Sequence, residues 1–457
     1  MNKIYPALML GAMLGITACD SDDSDEVINM APAPVAEAHV RVIHAGIDAP
    51  KVNVMANDTQ LLADVDYGIS SGFLTVPAGL YDIDVDAQIA DGSLLEVLSA
   101  DLDLSADMEY TAVALGKVSD DTLQLKLVAN ASAAIAAGYA RVQVLHGASD
   151  VGLVDVYVTA PGADISNTAP TLSANYLDAS TQLEVPASDY QIRITASGQK
   201  TPVFDSGTVP LMADTDYFIT AIANAWSGDA PVALLVALAD QQALLLDKMS
   251  GSDVRVIHAV ADAPAVDLFL DGANTPAIDM LSFAAVTDYL NVADGAHTVN
   301  VAADADNSVV VIDEAALSLD QGQGYSVLAI GSLADMDIKP WVIMEDSRRV
   351  ATEAKLNIAH ASYSAGNVDI YLTQDADISS ATPALSDIPF MAASGSLSVT
   401  PGNYVVSVTP TGSKTVAIGP LDINFAAGGI YGVVAVDAVG GGTPLGVILT
   451  DDFANAM

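Results

Sequence analysis

The sequence is short of cations. Fifteen Lys and Arg stand against 58 Asp and Glu, a formal net charge of −43 over 457 residues. Such a polyanion repels phosphate backbones and anionic lipid surfaces, which excludes nucleic acid as a partner. Cysteine occurs once, at Cys19, so no intrachain disulfide can form. Aromatic residues make up only 5%. Most of them recur at core-like positions, with Trp226 and Trp341 as exceptions. Long apolar runs are scarce after residue 18. None reaches the roughly 18 residues of a membrane-spanning helix, and Val232–Ala239 is cut by Asp240.

What is present is a chain with 51% hydrophobic residues. Its length suits three or four domains of about 100–150 residues, each with its own core. The N-terminus has Lys3, an apolar run over Ile4–Ile16, and then Ile16-Thr17-Ala18-Cys19. This resembles the bacterial lipobox. The resemblance implies a lipoprotein signal peptide over 1–18, a lipid on the Cys19 thiol and a membrane partner through that lipid. Residues 19–37 hold the acidic run Asp20–Glu26 and Pro32 and Pro34, the composition of a disordered tether. Asp20 after the cysteine resembles an inner-membrane retention signal, whereas the acidic run resembles surface-export signals. The expected location is therefore the cell envelope. Its face stays open among inner membrane, outer membrane and cell surface.

Four copies of one phrase follow: VRVIHA at 40–45, VQVLHG at 142–147, VRVIHA at 254–259 and LNIAHA at 356–361. Nine residues after each histidine stands Asn53, Asp155, Asp267 or Asp369. An aromatic, a Leu and a Tyr or His then recur at steps of seven: Tyr67, Leu74, Tyr81; Tyr176, Leu183, Tyr190; Phe283, Leu290, His297; Phe390, Leu397, Tyr404. Tyr110, Tyr217, Tyr325 and Tyr431 close the copies. The stretch from His to the first aromatic is 23 and 25 residues in copies one and three, and 30 in copies two and four. Copies two and four also share Ala-Asp-Ile-Ser at 163–166 and 376–379. The order is A-B-A-B, a duplicated pair.

Short alternating segments broken by turns such as Pro77-Ala78-Gly79 predict four tandem immunoglobulin-like antiparallel β-sandwiches, an all-β chain. Their expected bounds are 38–130, 138–247, 252–346 and 353–453. A short helix is expected within Asp240–Met249.

Strand parity assigns the histidines. Val40, Val42 and His44 share one face, as do the matching residues ending in His146, His258 and His360. Arg41, Gln143, Arg255 and Asn357 lie on the other, which predicts an exposed face. Each histidine ends a core-facing row and must hydrogen-bond there. One histidine per sandwich cannot gather the three or four ligands of a metal site, so the expected role is a structural pin on the following loop. Asp48, Asp150 and Asp262, with Ser364 in copy four, read as turn formers.

Two motifs are weighed and set aside. Gly68-Ile69-Ser70-Ser71-Gly72 matches the nucleophile elbow G-x-S-x-G but lies between strands in an all-β pattern. Asp82, Asp84 and Asp86 resemble the start of a Ca²⁺ loop, but Ala87 and Ser93 occupy the positions of its glycine and bidentate glutamate. Alternation explains them, with Tyr81, Ile83 and Val85 facing inward.

The phrases VRVIHAVADAPAVDLFLDG (254–272), VRVIHAGIDAPKVNV (40–54) and VPAGLYDIDV (76–85) resemble a bacterial envelope family known as domain-of-unknown-function family 4397 (DUF4397). The resemblance covers all four copies and is weaker in two and four, which lack Asp-Ala-Pro. It implies extracytoplasmic β-domains, often lipid-anchored or in tandem, and no activity. The expectation is a non-catalytic envelope lipoprotein acting in adhesion, scaffolding or spacing, with no catalytic residues, cofactor or bound metal. The alternative is an extracytoplasmic binding module for a glycan, a peptide or Ca²⁺. Its partner would be an unknown envelope or extracellular protein or glycan, with weak Ca²⁺ at domain junctions left open.

Overall fold

A computed structural model describes residues 35–453. The signal peptide, Cys19 and the tether through residue 34 lie outside the described residues. Every element among the described residues is a strand. The helix expected within 240–249 is instead strand Gln242–Leu245, which pairs with Val232–Ala237 as a fifth member of its sheet. Tertiary pairing outweighs local propensity there.

Repeat 1 shows the plan. Its strands are β1 (Glu37–Gly46), β2 (Val52–Ala56), β3 (Thr59–Val65), β4 (Ile69–Ser70), β5 (Leu74–Pro77), β6 (Gly79–Gln88), β7 (Leu94–Leu104), β8 (Met108–Gly116) and β9 (Gln124–Ala131). One sheet runs β4-β1-β8-β9, with β5 also on β1, and the other runs β3-β2-β6-β7. The remaining repeats follow the same plan, beginning at Tyr139, Ser252 and Ala354. The chain is all-β, built as four tandem two-sheet sandwiches. One pair in each departs from antiparallel order: β1 runs parallel to β8, and its counterparts do likewise.

Alternation sets the faces. In β6, Tyr81, Ile83 and Val85 pack into the core clusters of repeat 1 while Asp82 faces water. Repeats 2, 3 and 4 each hold one continuous core. That of repeat 1 is split in two around an apolar cavity of about 40 Å³.

The outer face of the histidine-bearing sheet is not exposed, which corrects the expectation. Arg41, Gln143 and Arg255 are 3%, 4% and 5% exposed, and Asn357 is half-buried. That face of repeat 1 packs on its counterpart in repeat 2. Ile43, Val113 and Leu115 meet Leu145, Phe218, Ile222 and Leu235. Repeats 3 and 4 pair alike, with Ile257, Leu328 and Ile330 against Ala359, Val434, Val436 and Ile448. Fully burying such side chains contributes about 1.5–3 kcal/mol each. The parity of the strand is right; its polar row is covered because a second sandwich lies on it.

The two buried arginines of these seams find partners, as a buried charge must. Arg41 donates from Nε to Thr111 Oγ1 at 2.8 Å and from Nη1 to the carbonyls of Ala237 and Leu238 across the interface. Its guanidinium lies against the Phe73 and Phe218 rings. Burial pushes its pKa down to about 10, against the pull of Asp216 and Glu109. Arg255 keeps the equivalent bond, Nε to Ser326 Oγ at 2.7 Å, but meets carboxylates instead: Asp451 of repeat 4 at 2.8 Å and Glu345 at 2.5 Å. Burial opposes its charge, yet Asp451 and Glu345 together raise its pKa.

Candidate functional site

Each histidine makes the same two contacts. His44 Nε2 bonds the Pro50 carbonyl at 2.9 Å, and His146, His258 and His360 bond those of Gly152, Pro264 and Gly366 at 3.1, 3.0 and 3.0 Å. A carbonyl only accepts, so Nε2 carries the proton. Each ring also meets the first recurring aromatic edge-on: Tyr67, Tyr176, Phe283 and Phe390, with centroids 6.2–6.5 Å apart. Burial lowers the pKa of His44 and His258, which favours the neutral ring. The four histidines sit in four different cores and are not brought together.

The aspartates four residues on reach much further than a local turn. Asp48 accepts from the amides of Val118 and Ser119, in the loop joining β8 and β9. Asp262 accepts from Leu333 N, Ala334 N and Ser332 Oγ in the matching loop. Repeat 4 reverses the polarity. Ser364 takes the aspartate position, and Asp437 reaches back from the loop to Ser364 N and to the hydroxyls of Ser362 and Ser364. Asp150 instead pairs with Lys117 of repeat 1 at 2.5 Å.

Asn53, Asp267 and Asp369 each hold the amide of a bulged residue: Asp64 at 3.2 Å, Met280 at 2.9 Å and Asp387 at 2.9 Å. Those residues have φ of 55°, 53° and 57°, a left-handed conformation that a local acceptor helps to stabilise. Asp155 faces a regular pair and takes Ser173 Oγ and Gly198 N. Repeat 3 has a shorter hairpin that brings Asp304 beside Asp267 and Asp279, with one oxygen of each within 4.8 Å. The Asp267 and Asp304 charges raise the pKa of Asp279. This acidic triad is the single such group among the described residues, and it lies within one sandwich rather than at a junction.

The closing tyrosines, whose spacing is plain but whose role the sequence leaves blank, accept an amide five residues back. Tyr110 takes Ser105 N at 2.9 Å, and Tyr217, Tyr325 and Tyr431 take Met212, Asp320 and Ala426. This resembles the tyrosine corner of immunoglobulin-like sandwiches. The longer B loop also has its reason. Ile165 and Ile378 are buried, and Lys200 and Lys414 lie over the Tyr157 and Tyr371 rings.

Ser70 of the G-x-S-x-G stretch lies on β4 beside Ile43, with no helix after it. Its glycines serve the interface. A Cβ on Gly68, at φ +72°, would come within 3.0 Å of Trp226, and one on Gly72 within 3.3 Å of Ala239 O.

Two stretches match the family described as domain of unknown function (DUF4397): 38–157 and 252–371. Together they cover more than half the sequence. The chain belongs to the DUF4397 family. Each DUF4397 match runs through an A repeat and on to Tyr157 or Tyr371 in the second strand of the B repeat. It thus holds one A histidine and one B histidine. No curated protein matches the chain.

One further feature lies where the four repeats converge. Arg348, in the linker between repeats 3 and 4, reaches into repeat 1. It bonds the Ala49 carbonyl at 2.8 Å and Asp66 at 2.7 Å, and lies over the Tyr67 ring. Ala351 N bonds Asp48 O, and Ser227 N bonds Gly322 O between repeats 2 and 3. Trp226 stacks on Tyr67 at 5.8 Å. Beside it opens a cavity of about 370 Å³, lined from all four repeats and their linkers. Sequence reasoning missed Arg348. The available signal was the Arg348-Arg349 pair in a chain with so few cations.

Proposed function

We propose that the chain is a non-catalytic, lipid-anchored scaffold of the bacterial cell envelope. The observation that carries this is the face-to-face pairing of the repeats. Two apolar interfaces and the Arg348 strap tie four sandwiches into one block instead of a string of separate domains. A preassembled block on a tether suits holding a partner at a fixed offset from a membrane. The repeated histidines support the non-catalytic reading, since the Nε2 of each bonds a backbone carbonyl six residues on within its own sandwich. Anchoring rests on Ile16-Thr17-Ala18-Cys19.

The test is fractionation of cells expressing the native chain and Cys19→Ser. The native chain should partition with membranes and the variant should appear in the soluble extracytoplasmic fraction. Membrane retention of the variant would refute the anchor. Sucrose-gradient separation and whole-cell protease access then assign the face.

A further inference from the structure

We infer that the cavity at the meeting point of the four repeats is a binding site for a neutral saccharide. Its size falls in the range of small-molecule sites, which favour domain interfaces. Its lining combines aromatic and neutral-polar side chains with the charged groups Asp66, Glu345, Asp346 and Arg348. Trp226 and Tyr67 form one wall, and Gln323, Ser347 and Ser396 supply an amide and two hydroxyls.

The charge inventory selects the ligand class. Every charged residue in the lining is already paired: Asp66 with Arg348 at 2.7 Å, Glu345 with Arg255 at 2.5 Å, and Asp346 with Lys355 at 2.6 Å. A cationic ligand meets no unpaired carboxylate. An anionic one meets no unpaired cation and a molecule of net charge −43. The side chains of Gln323, Ser347 and Ser396 and the indole N–H of Trp226, by contrast, make no hydrogen bond within the described residues. A pyranose complements that set. Its hydroxyls both donate and accept, and its C–H face packs on an indole ring.

The structure keeps this wall in place. Gly68 and Gly322 lie at φ +72° and +79°, and a Cβ on either would come within 3.0–3.3 Å of Trp226. The site exists only while repeats 1 to 4 are docked, and it does not depend on the lipid anchor.

The experiment is a fluorescence titration of the full chain in detergent. Trp341→Phe serves as background, so that Trp226 is the single reporter. The probes are maltose, cellobiose, lactose and N,N′-diacetylchitobiose, with a tetralysine peptide and glucuronic acid as charged controls. At least one neutral disaccharide should change the emission saturably. Gln323→Ala should weaken it roughly two- to tenfold, the loss of one hydrogen bond. Ser396→Phe, which fills the cavity from an exposed position, should abolish it without lowering the melting temperature. The inference is overturned if no neutral disaccharide binds, if a charged control binds instead, or if binding survives Ser396→Phe.

Discussion

At the scale of single residues, the repeated histidine is a hydrogen-bond donor to a carbonyl six residues on. His258→Ala leaves the Pro264 carbonyl without its donor. An unsatisfied buried acceptor costs about 1–3 kcal/mol, so the calorimetric transition containing repeat 3 should shift down by several degrees. An unchanged transition would refute the pin. The pH dependence separates two kinds of histidine. His44 and His258 have lowered pKa values, so the unfolded chain binds more protons. Their stability is present above the unfolded value of about 6.5 and is lost as pH falls below that through the lower folded pKa. His297 has the opposite sign. It bonds Asp271 at 2.8 Å and the Ala293 carbonyl at 2.8 Å, and Asp271 raises its pKa. Its stabilisation is full below about 6.5 and is lost as pH rises through the folded pKa. Tyr81 and Tyr190 make the equivalent bond, to the carbonyl four residues back, with a hydroxyl. His297→Tyr should therefore keep that bond and flatten the loss on the alkaline side. Melting curves from pH 5 to 9 read this directly, and an unaltered alkaline slope would count against it.

At the scale of elements, each strand bearing a histidine serves two cores at once. Its inner row fills its own sandwich and its outer row fills the seam with the next. Phe218 belongs to the seam of repeats 1 and 2 and not to the internal core of repeat 2. Phe218→Ala should cost about 3–5 kcal/mol. It should also split a joint transition of repeats 1 and 2 into two, with repeat 2 keeping its own core. A single unshifted transition would show that the seam carries no coupling. Much of this element was legible in advance. Period-two alternation identifies the inner row, and the spacing of His44, Asn53, Tyr67 and Tyr110 locates the turns of the fold. What alternation cannot reveal is whether the second face meets water or protein. Arg41 and Gln143 look solvent-facing in sequence because a polar side chain is written the same way whether water or a neighbouring repeat receives its hydrogen bonds. The carboxylate of Asp48 was misread for a related reason. A turn-forming aspartate and one that caps a distant hairpin occupy the same local phrase.

At the scale of the molecule, few hydrogen bonds join the two pairs, and Arg348 makes three of them, to Ile47 O, Ala49 O and Asp66. Arg348→Ala removes the bonds to Ala49 and Asp66 while leaving both seams intact. In small-angle scattering the native chain should approach the roughly 22 Å radius of gyration of a compact chain of this length. The variant should expand by several ångströms with each pair still folded. An unchanged radius would mean that the pairs are held by something else. The cavity beside Trp226 was the least legible feature. Its wall is drawn from positions more than 300 residues apart, and no local pattern signals that convergence.

Arg41 and Arg255 stand at the same place in a duplicated unit, yet one faces aromatic rings and backbone carbonyls and the other faces Asp451 and Glu345. The difference makes the two seams chemically unlike, which disfavours exchange of partners between them. Four similar sandwiches emerging from one chain could mispair, and tandem repeats are prone to that error. Repeat 3 docked on repeat 2 would bring Arg255 to a Phe218 ring and leave Asp451 without its cation. Divergence at a single arginine site thus gives the seam of each half its own chemistry, an ion pair in one and rings and carbonyls in the other.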